Sequence, residues 1–174
     1  EKLFNLNPNI EKLYDTLVYI TAKTKNWNQL IKLSDKAFAR KIIDRQTLNE
    51  NKSIAYYEIS KINFEGNLNE ALKNITKAIG LKNFFSPYIK LHLEIISKSQ
   101  NLNLLKKMLK KYWVNNPDPI LREIITKIIK QNNLGQMNLI QQLIKNNRDT
   151  ESQKLLISFA IQNKEWKLAR EKIK

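Results

Sequence analysis

The sequence offers one histidine, His92, set in YIKLHLEII between Leu91 and Leu93. Histidine can hold a metal or a haem iron, or move a proton near neutral pH. Each role needs partners, and spacing supplies none. The chain has no cysteine, and nothing in the spacing of Met108 or Met137 makes either converge on His92. The flanking leucines predict instead that His92 packs at least partly inside a helical array. The carboxylates are no better grouped. Glu65, Glu70, Glu94, Glu123 and Glu151 fall one to a helix or turn, so local spacing fixes no acid–base pair. No G-x-G-x-x-G cradle is present to hold a dinucleotide phosphate. The expectation is a protein that is not an enzyme and carries no cofactor.

What remains is charge. Lys and Arg number 31 against 16 Asp and Glu, a net charge of +15, which favours anionic partners such as nucleic acid or acidic lipid. Lys106, Lys107, Lys110 and Lys111 concentrate part of it on one helix face, where side chains four residues apart stack. The aromatics that would stack on bases, Tyr112 and Trp113, fall on the core-facing side of that helix. Lys, Asn and Ile also rise together throughout (KNN, KQNN, KII), as an AT-rich coding sequence writes them. A solvated basic surface is therefore the expectation, with a nucleic-acid-binding helical repeat as the alternative. An enzyme, such as the helical accessory part of a transglycosylase, would need a buried carboxylate of raised pKa.

Helices must position these groups. In LNEALKNITKAI the apolar residues Leu68, Ala71, Leu72, Ile75, Ala78 and Ile79 mark one helical face. SIAYYEISKINF before Gly66 is a second helical pattern, so the unit is an αα-hairpin. A shift of 34 residues carries Ala71 to Leu105 and Leu139, Ile75 to Leu109 and Leu143, Leu68 to Leu102, and Ala78 to Tyr112. Trp27-x-x-Leu30 and Trp166-x-x-Ala169 repeat the unit near the ends, with looser spacing. Ten helices are predicted, near 9–24, 27–42, 46–64, 68–80, 86–99, 102–114, 119–131, 135–146, 151–163 and 165–174. They group as repeats near 9–44, 46–83, 86–117, 119–147 and 150–174, one all-α array over 1–174. With no stretch of about 18 apolar residues, a membrane anchor would have to lie outside these repeats. The sequence reads as an excised fragment. Leu3, Phe4 and Leu6 before Pro8 look like the tail of a further helix, and Trp166, Leu168, Ala169 and Ile173 look turned towards a further neighbour.

The unit from Tyr56 to Asn83, with Gly66 ahead of Glu70-Ala71, a large Ile75, Ala78 and a closing Leu81, resembles the tetratricopeptide repeat. Two junctions follow in order: Ala78, Leu81, Phe85 and Pro87, then Trp113, Pro117 and Pro119. With Glu151-Ser152 and Trp166-x-x-Ala169-Arg170 behind them, they resemble the C-terminal region of HemY-type tetratricopeptide proteins of bacterial inner membranes. That resemblance implies a tetratricopeptide-like superhelix of antiparallel helices with an N-terminal membrane anchor and repeats facing the cytoplasm. It implies a non-enzymatic scaffold associated with late haem biosynthesis, with haem-synthesis enzymes as protein partners; the scattered charge, for its part, predicts no specific nucleic acid.

The tetratricopeptide resemblance also places a partner-binding groove along the first helix of each repeat, at positions four residues apart. Carried over, these are Asp15 and Tyr19, Tyr56 and Ser60, Lys90 and Glu94, Ile124 and Ile128, and Lys154 and Ser158. They lack the Lys/Asn pattern of a carboxylate clamp, which favours a helix or extended peptide over a free C-terminus.

Overall fold

A computed structural model describes residues 11–132, 137–145 and 149–173. These contain ten helices and no strand: α1 (Glu11–Lys23), α2 (Trp27–Ala39), α3 (Arg45–Asn63), α4 (Leu68–Leu81), α5 (Ser86–Lys98), α6 (Leu102–Asn115), α7 (Pro119–Gln131), α8 (Met137–Ile144), α9 (Thr150–Gln162) and α10 (Trp166–Ile173). The expected helix at Leu3, Phe4 and Leu6 lies outside the described residues.

The helix starts are written locally. Asn26, Asp44, Asn67, Asn101, Asp118 and Asp149 each accept, through the side-chain oxygen, the backbone N–H three residues on, at 2.7 to 3.3 Å. Each bond satisfies a donor that has no partner within its helix. The ends are less expected. Lys25, Lys41 and Lys164 occupy the left-handed region, at φ 55, 59 and 61. After each, the next N–H reaches back five residues: Asn26 to Thr21, Ile42 to Ala37 and Glu165 to Ala160. This is the Schellman closure, which usually takes glycine; lysine here accepts a strain of about 1 kcal/mol or more. It stops α2 at Ala39, short of the predicted 42, and turns Ile42 and Ile43 back onto the Tyr14, Leu33 and Ala37 cluster.

The chain divides into two compact units, with the boundary between Tyr88 and Ile89 inside α5. In the first unit α1 packs on α2, α2 on α3 and α3 on α4. Buried polar groups tie these helices. Asn51 of α3 donates to the Tyr14 hydroxyl of α1 at 2.7 Å, and the Ser60 hydroxyl of α3 donates to the Ala71 carbonyl of α4 at 2.8 Å. Ala71 and Ala78 are fully buried, so α4 carries no side chain beyond a methyl group at either position. Ala71→Leu should therefore overpack the α3–α4 contact and cost about 1–3 kcal/mol in chemical denaturation. Lys107→Ala, on an exposed position of α6, should change stability by less than about 0.5 kcal/mol.

In the second unit α8 packs on α6 and α9, α7 packs on α9, and α9 packs on α10. Leu105, Leu109, Tyr112 and Trp113 form the buried face of α6. Leu121, Ile124, Ile125, Ile128 and Ile129 form that of α7, the i, i+3, i+4, i+7, i+8 stripe of an amphipathic helix.

Candidate interaction surface

The ten expected groove residues separate by burial. On α1, Asp15 and Tyr19 are exposed one turn apart, and Lys23 lies over the Tyr19 ring at 5.4 Å. On α3, Tyr56 is half-buried, with Lys77 of α4 over its ring at 5.0 Å. Ser60, one turn on, is fully buried, its hydroxyl spent on Ala71. On α5, Lys90 is exposed and Glu94 half-buried; on α9, Lys154 is exposed and Ser158 half-buried.

On α7 the expectation needs correction. Ile124 is 9% exposed and Ile128 2%, so both belong to the core stripe and present almost nothing to a partner. The repeat position carried over from the resemblance pointed them outward; burial of two isoleucines, about 1.5–3 kcal/mol each, points them inward. Ser60 is corrected on the same ground of burial.

The outward face of α7 is the complementary stripe. Arg122, Thr126 and Lys130 stand four residues apart, beside Glu123 and Lys127. With Ser158 of α9 they line a cleft of about 390 Å³ within the second unit. Sequence reasoning missed all but Ser158, although the signal was present: these are the positions left over once the apolar stripe of α7 is removed. Glu151 of α9 joins the two helices. It accepts Arg122 Nε at 2.9 Å and Lys154 Nζ at 2.8 Å. The hydrogen bond from Lys154, with the charges of Lys154 and Arg122, outweighs desolvation and holds its carboxyl below the usual range. Lys127 and Lys130 have no carboxylate partner among the described residues.

Among the described residues each carboxylate whose pKa is displaced, at Asp44, Glu70, Asp149 and Glu151, is displaced downward, opposite to the shift that a general acid requires. Among the described residues no three His, Asp or Glu side chains are grouped to hold a metal. His92 is buried on α5, with Nδ1 hydrogen-bonded to the Tyr112 hydroxyl of α6. Burial, helped by the Lys111 charge, pushes its pKa down from 6.5 to about 4, and burial pushes Tyr112 up to about 12. The pair is therefore neutral across the physiological range and serves as a polar joint between two helices. Lys106, Lys107, Lys110 and Lys111 are exposed on the opposite side of α6 from the buried Tyr112 and Trp113.

No family model matches the chain, and no curated protein matches it in sequence.

Proposed function

We propose that this chain is a non-enzymatic binding module, a tetratricopeptide-like solenoid whose first helices hold protein partners. It belongs, on this reading, to a membrane-anchored bacterial scaffold of the HemY type, with repeats facing the cytoplasm and haem-synthesis enzymes as its partners. The observation that carries the binding-module reading is the packing in the second unit: α7 against α9 and α6 against α8, alternate helices side by side as in stacked hairpins. The repeated hairpin turns ending in Asn26, Asn67 and Asn101 support the same reading. The HemY assignment rests on the resemblance at Ala78, Leu81, Phe85, Pro87, Trp113, Pro117 and Pro119, with Glu151-Ser152 and Trp166-x-x-Ala169-Arg170 behind them. No helix among the described residues is long and apolar enough to cross a membrane, so the anchor of such a scaffold would be a segment other than these helices.

The test is purification of the full-length protein from its own membrane after nuclease treatment. Haem-synthesis enzymes should co-purify. Asp15→Ala with Tyr19→Ala, both exposed, should weaken capture about tenfold while leaving the helical circular dichroism unchanged. Capture of unrelated proteins, insensitive to these substitutions, would overturn the HemY reading. The net charge of +15 favours a second reading, nucleic-acid binding. Submicromolar, saturable binding of RNA or DNA at about 150 mM salt, falling by some three decades between 50 and 200 mM, would establish it instead.

A further inference from the structure

We propose that the cleft between α7 and α9 receives an acidic, partly apolar peptide segment of a partner protein. The inference rests on the binding-module reading above and names the chemistry of its partner. The cleft combines three features. Its cations are unevenly matched: Arg122 already shares Glu151 with Lys154, whereas Lys127 and Lys130 meet no carboxylate among the described residues. An incoming carboxylate would complete them. Its walls between the charges are apolar, made of the alkyl stems of Arg122, Lys127 and Lys130 and the methyl of Thr126, which suit the side of a Leu or Val. The Thr126 hydroxyl can bond a peptide backbone, and the Ser158 hydroxyl, which donates to the Leu155 carbonyl at 2.8 Å, can still accept a backbone N–H.

The dimensions fit a short segment. From Arg122 to Lys130 the stripe runs about 12 Å along α7, the length of roughly four extended residues or two helical turns. A nucleic-acid strand fits worse. Among the described residues no aromatic lines the cleft to stack a base.

The test uses the 174-residue chain, fluorescence anisotropy, and three labelled probes: a short peptide of mixed Glu and Leu, its Lys/Leu counterpart, and oligothymidylate. The Glu/Leu peptide should bind best. Lys127→Glu with Lys130→Glu should weaken it about tenfold or more, a loss of about 1.4 kcal/mol per decade. Thr126→Tyr, which fills the cleft without changing charge, should weaken it as well, and Lys106→Glu with Lys110→Glu should not. Circular dichroism of every variant should match the parent. Equal affinity of parent and cleft variants for the Glu/Leu peptide would overturn the proposal, and so would tighter binding of oligothymidylate that the cleft variants abolish. Should the peptide fail to bind while haem-synthesis enzymes are still captured through Asp15 and Tyr19, this inference falls and the binding-module reading stands. If capture fails too, both fall.

Discussion

Trp113→Ala should destabilise the second unit by about 3–5 kcal/mol, read as a fall in the urea midpoint of its helical signal. Among the described residues Trp113 is the largest fully buried side chain, on the core face of α6 beside Leu105, Leu109 and Tyr112. Its removal leaves a cavity that rigid helix ends cannot close. It also deletes a polar connection between distant helices. Trp113 Nε1 donates to Ser152 Oγ at 2.9 Å, and that hydroxyl donates in turn to Asp149 Oδ2 at 2.7 Å. Asp149 meanwhile caps α9 through the Ser152 N–H. Burial opposes the charge of Asp149, but the bonds from the Ser152 hydroxyl and backbone N–H outweigh it and hold the carboxyl below its usual value. The start of α9 is thus fixed to the end of α6 through one serine. Ser152→Ala should cost less, about 1–3 kcal/mol, because volume is kept while the acceptor is lost. A loss below about 1 kcal/mol for Trp113→Ala would mean that α6 does not depend on this anchor.

Acid should weaken the fold through His92 before it reaches the carboxylates. The folded pKa of His92 lies at about 4 against an ordinary 6.5, so the unfolded chain binds the extra proton between those values. Stability is therefore undiminished above about pH 6.5 and falls as pH drops towards 4, by up to about 3 kcal/mol. The lowered carboxylates Asp44, Glu70, Asp149 and Glu151 act in the opposite range: their contribution is present above their ordinary pKa near 4 and is lost only below it. The two effects separate on the pH axis. Urea melts at pH 7 and 5 should differ for the parent and much less for His92→Gln, which can keep a bond to the Tyr112 hydroxyl without gaining a charge. Equal pH slopes for the two proteins would show that His92 does not titrate against burial.

The sequence by itself determined the helices. Their apolar stripes, and the Asn or Asp at each described cap, act through bonds and contacts three or four residues apart, and such interactions form whatever lies beyond them. The burial of Ala71, Ile75, Ala78, Leu105, Leu109, Tyr112 and Trp113 followed from the same periodicity. The candidate surface was legible only in part. Asp15, Tyr19, Lys90 and Lys154 are exposed, but the repeat register misplaced Ser60, Ile124 and Ile128, because a position borrowed from a resemblance knows nothing of the neighbour that buries it. On α7 its own apolar spacing was the better guide. Tertiary structure alone decided that the remaining face of α7 meets α9 to form a cleft, that Glu151 draws Arg122 into that joint, and that Lys127 and Lys130 meet no carboxylate there among the described residues. It also set the boundary at Tyr88 and Ile89, inside one uninterrupted helix where the local pattern has no break. These are outcomes of two helices packing at once, and a hydrophobic contact has no direction until both faces are in place.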